Sequence, residues 1–427
     1  MPLNIRSIDQ FDYRGKTVLL RADINSPIDP ETKGIINDNR IDKSIPTILE
    51  LADQGAKLVL IAHQGDTLDY QNLISLREHA QKLSQKMRRE VQFIDDVAGP
   101  AARQRIKGLS DGEVLLLDNL RYLVEEVSTF ENHVKLTPEE MTQTYLVRNL
   151  APLMDYYVND AFAAAHRDAP SMVGFQELLP SAGGRLLMDE LNALSTIMDH
   201  PARPCVFVLG GLKISDAFGM LKQALSQGIA DLVLTAGVTG QVMLIARGIH
   251  LGQDSEQFIR DRSLDAFIPL SKEYLSLYPE KLHLPLDVAV DDGGNRREVS
   301  VDMLPSQGLI IDIGEKTIEA YEEIIAQAGT IFVNGPAGMY EKEIGSKGTT
   351  RLWSAVAKAP GFSVIGGGDT VSSASKLVDV SEIGFVCTGG GALIRYLSGQ
   401  RLPVLDALVR ATERESRNTH PLTLDRC

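Results

Sequence analysis

Apolar residues in this chain fall into short dense runs, separated by longer stretches in which they recur every three or four positions. "KTVLLRADI" (16–24), "AKLVLIA" (56–62), "EVLLLDNL" (113–120) and "MDYYVNDAF" (154–162) are of the first kind and predict strands. "RIDKSIPTILELADQG" (40–55) and "LISLREHAQKLSQKM" (73–87) are of the second kind and predict helices. The strand runs are nearly continuous rather than alternating, which is the pattern of strands covered on both faces, hence of a parallel sheet between helices. A break comes around 175–200, where "LPSAGGRLLMDELNALSTIMDH" offers a Gly pair and then one long helical pattern. A second alternating series follows: "PCVFVLGG" (204–211), "ADLVLTAG" (230–237), "GTIFVNGP" (329–336), "GFSVIGGG" (361–368) and "IGFVCTGGG" (383–391). The predicted architecture is α/β, with two doubly wound, Rossmann-like parallel-sheet domains joined by a helix.

Length agrees, since 427 residues exceed what one hydrophobic core organises. No apolar window approaches the roughly 18 residues of a membrane span, and "MPLNIRSIDQFDYRGK" has no apolar segment of a secretory leader. Cys205, Cys387 and Cys427 are widely spaced, which predicts neither a disulfide framework nor a zinc cluster and fits a reducing cytoplasm. A net charge of −14 argues against nucleic acid or anionic membrane as partner. It also means that an anionic small-molecule ligand requires cations concentrated in one cleft.

Five strands of the second half end in Gly-rich turns followed by helical patterns. Glycine at the carboxyl end of a parallel strand lets backbone N–H groups approach a phosphate, and the next helix adds its positive end. One such turn is ordinary punctuation; five together predict a polyphosphate, most simply a nucleotide. A Walker A loop is absent, because "RGKT" (14–17) has Gln10 where the first glycine is needed. No strand–GxGxxG–helix unit opens the chain, and the protein-kinase motifs are missing. In the first half, the run 56–62 ends on His63, Gln64, Gly65 and Asp66, a place where α/β enzymes put working side chains.

"VLLRADINSP", "DNRI", "LLLDNLRY", "YVNDAFAAAHR", "VLGGLKISD", "NGPAGMYE", "SVIGGGDT" and "TGGGALIRYLSG" together resemble the successive motifs of the phosphoglycerate kinase family, in its order over roughly 15–410. "NGPAG" and "HQG" look like the archaeal branch. The resemblance implies an acid-binding domain over 1–180, onto which the tail 405–427 packs back. It implies a nucleotide-binding domain over 181–404 that includes an interdomain helix at about 184–200. It also implies ATP or ADP as co-substrate, Mg²⁺, 3-phosphoglycerate as the small-molecule acid, domain closure and a monomer. In-line phosphoryl transfer asks a protein for positioning, a metal and positive charge on the moving group.

Carried over motif by motif, the resemblance gives Asp23 and Asn25 the glycerate end of the substrate, with His63 and Gly65 beside it. Arg40 stands against the carboxylate and takes a catalytic role; its place at a helix start, unfavourable for a cation, favours function over a plain solvated residue. Arg121 and Arg167 match the clamp on the substrate's phosphate, although either alone is commonly a surface arginine. Lys213 contacts the transferring group and is the second catalytic residue. Gly210, Gly211, Gly237, Gly314, Pro336 and the run Gly366, Gly367 and Gly368 surround the nucleotide. Asn334 faces its phosphates and Glu341 its ribose. Asp369 holds Mg²⁺, with Thr370 near the phosphates; an Asp here is equally well placed to cap a helix.

Two positions depart from the family's pattern. Ala217 stands where a second lysine is common, which implies a slower transfer or an altered grip on the nucleotide. Asp66 replaces an arginine of the phosphate clamp. A unit charge pair at about 4 Å is worth roughly 4 kcal/mol at an effective dielectric near 20, so the reversal bears on the identity of the acid. The leading reading is therefore a 3-phosphoglycerate kinase. A paralogue acting on another carboxylic acid is the second, and a non-catalytic nucleotide-binding protein the third.

Overall fold

The computed structural model describes residues 3–65 and 73–419. They form two compact units, one from 1–192 with 401–427 and one from 193–400. The first unit is built on a six-stranded parallel sheet. Its order is Val91–Ile94, Val114–Leu117, Lys57–Ile61, Thr17–Arg21, Tyr156–Asn159 and Ser181–Gly183. Each strand sends alternate residues to opposite faces. Val18, Leu20, Leu58, Leu60, Val114 and Leu116 enter one buried cluster. Their neighbours Leu19, Val59, Ile61, Leu115, Leu117 and Tyr157 enter another. Both faces are dry, which is why the sequence shows runs rather than alternation.

Helix Asn39–Asp53 turns Ile41, Ile48 and Leu51 to the sheet and tolerates Pro46 in its interior. The 73–87 pattern becomes helix Arg77–Met87. Helix Pro403–Thr419 belongs to this same unit: Ala407, Leu408 and Ala411 are buried, Arg414 Nη1 donates to the Gln176 carbonyl at 2.6 Å, and Arg410 pairs with Glu177 at 2.9 Å.

The second unit carries another six-stranded parallel sheet. Its order is Phe385–Val386, Phe362–Ile365, Thr330–Asn334, Cys205–Leu209, Leu232–Thr235 and Leu282–His283. The predicted 383–391 strand shrinks to two residues, because its glycines start helix Gly390–Leu397 instead. Helix Arg185–Asp199 fills the long pattern around 184–200 and contains the boundary between the units.

The second unit also contains a sheet that the apolar runs do not predict. A three-stranded antiparallel sheet forms from Asn295–Ser300, Asp287–Asp292 and Ile310–Ile313. Its hairpin turns at Gly293 and Gly294, with φ of 62° and 90°, and pairs Asp292 with Asn295. Two positive φ values in a two-residue turn suit glycine, so "DDGGN" was a legible hairpin signal. Among the described residues no helix is long and apolar enough to cross a membrane.

Candidate active site

In the first unit the predicted side chains follow the carboxyl ends of four adjacent strands. Asp23 and Asn25 follow Thr17–Arg21, His63 and Gly65 follow Lys57–Ile61, Arg121 follows Val114–Leu117, and Arg167 follows Tyr156–Asn159. Arg40 comes from the first turn of helix Asn39–Asp53. Its Nη1 donates to both oxygens of the buried Asp23 carboxylate, at 2.9 and 3.1 Å. That bidentate partner offsets the cost of a cation at a helix N-terminus.

His63 is buried at the centre. Arg21 Nη2 lies 2.8 Å from its Nδ1. A guanidinium can only donate, so Nδ1 accepts and the ring is neutral. Burial first, then the positive charges of Arg21, Arg121, Arg167 and Arg40, hold the imidazole well below its ordinary range. Four arginines thus bear on one histidine in a strongly acidic protein. Asn25 Oδ1 accepts from the Gly65 amide at 3.1 Å, which fixes the loop just before Asp66. Asp66 itself lies outside the described residues.

Sequence reading missed Arg21, because an arginine inside an apolar run looks like a strand residue. It is almost fully buried and donates from Nε to Ser171 Oγ at 3.2 Å. The Ser171 hydroxyl in turn donates to Glu126 Oε2 at 2.6 Å. Glu126 is buried, and burial raises its carboxyl. Arg121 is held by the Glu126 carbonyl at 3.1 Å. Arg167 Nη1 donates to Ser128 Oγ and lies 3.4 Å from Glu131 Oε2, both on helix Ser128–Val134. That carboxylate on a predicted phosphate-binding arginine was also missed.

The second unit works mainly with backbone, and its glycines divide into two sets. Gly210, Gly211, Gly237 and Gly335 knit strand ends together. Gly210 N–H donates to the Asn334 carbonyl at 2.9 Å, Gly211 N–H to Pro336 at 2.8 Å, and Gly237 N–H to Ala337 at 3.0 Å. A Cβ on Gly237 would lie 2.7 Å from the Gly211 nitrogen, and one on Gly335 would enter the Gly210 backbone. Gly368 and Gly390 are different: nothing lies within 4 Å of a Cβ at either. Both open helices, Gly368–Leu377 and Gly390–Leu397, toward a cavity of about 460 Å³. That is the arrangement of an anion site.

Lys213, Asn334, Pro336, Gly367, Asp369 and Thr370 also line this cavity. Thr370 Oγ1 accepts from the Gly335 amide at 2.8 Å, and Asn334 Nδ2 donates to the Gly366 carbonyl at 2.8 Å. Gly366 therefore supports the loop without lining the cavity. Lys213 Nζ is 3.3 Å from Asp369 Oδ2, and both side chains are exposed, at 65% and 60%. Gly391, from the glycine-rich strand end 383–391, also lines the cavity, as do Asp216 and Arg395, which were not predicted.

A second cavity, of about 340 Å³, shares Gly211, Leu212, Pro336 and Asp369 with the first. It contains Glu341 and is walled mostly by apolar side chains. Gly314 does not line it. This residue precedes helix Glu315–Gln327 against the Asp287 carboxylate, while its neighbours Asp312 and Ile313 face the cavity. Ala217 lines neither cavity; it is buried on helix Ile214–Ser226.

Among the described residues no three His, Cys, Asp or Glu side chains are grouped to hold a metal. Mg²⁺ needs no such cage, since one or two carboxylates suffice beside phosphate oxygens and water. The exposed oxygens of Asp369, beside two open helix starts, fit that requirement.

Known proteins resemble this chain over nearly its whole length. Residues 8–400 match the family model described as Phosphoglycerate kinase. Phosphoglycerate kinase of Methanothermobacter thermautotrophicus is 43% identical over 403 residues, 94% of this chain and 96% of the relative. That of Methanococcus maripaludis is 41% identical over 410 residues, 96% and 99%. Among solved structures, phosphoglycerate kinase from Pyrococcus horikoshii superposes with a TM-score of 0.85 at 37% identity, covering 96% of this chain and 100% of the other. The protein from Coxiella burnetii gives 0.81 at 30%, covering 96% and 100%. The chain belongs to the phosphoglycerate kinase family.

Proposed function

We propose that the chain transfers a phosphoryl group between Mg-ATP or Mg-ADP and the carboxylate of 3-phosphoglycerate, with the acid held in the first unit and the nucleotide in the second. In the direction of acyl phosphate formation, a carboxylate oxygen bonds to the terminal phosphorus and the bond from that phosphorus to the bridging oxygen breaks, leaving ADP. The observation that carries this reading is the basic cleft around His63, which concentrates four cations in a protein of net charge −14.

Arg121 and Arg167 hold the substrate's phosphate, and Asp23, Asn25, His63 and Gly65 orient its glycerate end. A neutral His63 donates a hydrogen bond without becoming a competing cation. Arg40, aligned by Asp23, sits against the reacting carboxylate and offsets charge in the transition state. In the second unit Gly367, Gly368 and Thr370 face the phosphates. Lys213 exchanges its contact with Asp369 for the transferring group, and Asp369 is thereby freed to hold Mg²⁺. The metal, when bound, neutralises phosphate charge during transfer. Glu341 meets the ribose, and the neighbouring apolar cavity takes the base. Three scattered cysteines fit a reducing cytoplasm as its compartment.

A coupled assay with ATP and 3-phosphoglycerate tests the reading. Turnover is expected, and its absence from correctly folded protein would overturn it.

A further inference from the structure

Behind the basic cleft of the first unit lies a buried carboxylate that the mechanism does not use. Glu126 is 5% exposed, and one residue takes both of its oxygens. Oε1 accepts from the Ser171 amide at 2.7 Å and Oε2 from the Ser171 hydroxyl at 2.6 Å. Ser171 Oγ in turn accepts from Arg21 Nε at 3.2 Å, and Arg21 Nη2 donates to His63 Nδ1 at 2.8 Å. Arg21 Nη1 goes to the Ala22 carbonyl at 2.7 Å. Arg21 therefore meets a hydroxyl, a carbonyl and a neutral imidazole, and none of these three partners carries charge. Burial pushes its guanidinium down, and Glu126, one hydroxyl away, is the foremost charge opposing that. The Tyr157 hydroxyl closes the node by donating to the Ser171 carbonyl at 2.7 Å.

Each hydrogen bond in this network has a fixed direction. A guanidinium can only donate, so the Ser171 oxygen accepts from Arg21 and its single proton points at Glu126. That direction needs a carboxylate, which accepts at both oxygens. Held in this way, Arg21 offers Nη2 to His63 Nδ1, and the proton of the neutral ring stands on Nε2. Asn25 Nδ2 lies 3.4 Å from Nε2 and is itself a donor, since Asn25 Oδ1 accepts from the Gly65 amide at 3.1 Å. The Nε2 proton thus finds no acceptor in Asn25 and is left for a ligand oxygen. We infer that Glu126 is a positioning residue: through Ser171 and Arg21 it fixes the His63 tautomer that presents an N–H to the acid. The inference rests on the reading that His63 meets the acid. Glu126 acts from behind the pocket, and its carbonyl separately holds Arg121 at 3.1 Å.

Glu126→Gln breaks that direction at nearly constant size. Its amide keeps one acceptor for the Ser171 N–H and turns an NH₂ toward Ser171 Oγ, whose own proton is then driven against Arg21 Nε. The backbone contact to Arg121 does not depend on the side chain. The test measures KM for 3-phosphoglycerate and for ATP on the full chain, with ¹⁵N imidazole NMR of His63, assigned by its loss in His63→Gln. Wild type should show one tautomer, protonated on Nε2. In Glu126→Gln the tautomers should mix, and KM for the acid should rise roughly tenfold while KM for ATP stays within about twofold. A role through charge alone predicts the opposite sign, because removing a carboxylate leaves the cleft more positive and should lower that KM. Ser171→Ala removes the relay and should give the same rise; where Glu126→Gln does not fold, it decides by the same readings. An unmixed tautomer, a lowered or unchanged KM for the acid, or equal rises for both substrates overturns the inference. Failure of both variants to fold overturns it too, since the pair is then structural. Tautomer mixing in a protein that turns over no 3-phosphoglycerate supports Glu126 while sinking the kinase reading, so the two failures are distinguishable.

Discussion

The two units place their candidate sites alike, at the carboxyl ends of a parallel sheet, and build them from different material. The first uses buried side chains. Arg21 and Asp23 are out of water, tied to Ser171 and Arg40, and Arg121 is fixed by a carbonyl. The second uses backbone, with open helix starts at Gly368 and Gly390, and its charged residues Lys213 and Asp369 stand in solvent. Under the proposed function, the contrast follows from the ligands. A small anion held by guanidinium forks needs cations whose desolvation is met during folding. A polyphosphate with its own metal can be met by amides and helix ends, leaving the mobile charges free to change partners.

The comparison can be broken most severely at the glycines. Gly335→Ala puts a Cβ into the Gly210 backbone at a φ of 90°. A loss of about 4 kcal/mol in denaturant unfolding is expected. Gly368→Ala has open space, so it should leave stability within about 0.5 kcal/mol while weakening ADP binding in calorimetry. Equal destabilisation by the two would show that the division into glycines packed against backbone and glycines facing open space is mistaken.

Next in size is Lys213→Ala, which should lower kcat on the order of a hundredfold with an unchanged melting temperature, since the side chain is exposed. A variant that loses stability instead would place Lys213 among the structural residues.

The buried first unit carries a pH signature at His79. His79 is buried, and burial pushes its imidazole down to about 4. Below pH 6.5 the unfolded chain takes a proton there before the folded one does, so stability falls as pH drops from 6.5 toward 4. Asp160, pushed up to about 6 by burial, works in the opposite direction below pH 6, because its folded form takes the proton first. Comparing wild type with His79→Gln isolates the first effect. Between pH 7 and pH 5 the wild type should lose about 2 kcal/mol more than the variant in urea unfolding. Parallel losses would remove His79 from the account.

The smallest effect expected is at Glu131. Its partly exposed pair with Arg167 competes with a bound phosphate. Glu131→Gln should therefore lower KM for 3-phosphoglycerate about two- to fivefold at constant kcat. A raised KM would mean that Glu131 positions the arginine rather than competing for it.

Strand runs buried on both faces, helix spacing and five glycine-ended strands placed the α/β architecture in the sequence, because burial and backbone freedom act locally along the chain; the family was legible only through the resemblance of its motifs. The antiparallel hairpin was legible too, in "DDGGN", although the place of its Val288 in the wall of the apolar cavity was not. Strand lengths were overestimated, since an apolar residue after the last ladder bond still faces the core.

What only the tertiary structure decided are the relations between distant positions. Arg21 becomes a site residue because the loop after Lys57–Ile61 brings His63 to it. Arg167 meets Glu131 across 36 positions. Gly210 and Gly335 exclude a side chain because two strand ends touch, whereas Gly368 and Gly390 look the same in sequence and face open space. Residue type sets what a group can donate, accept or neutralise. Which group meets it, and whether water can reach the pair, is a property of the folded chain.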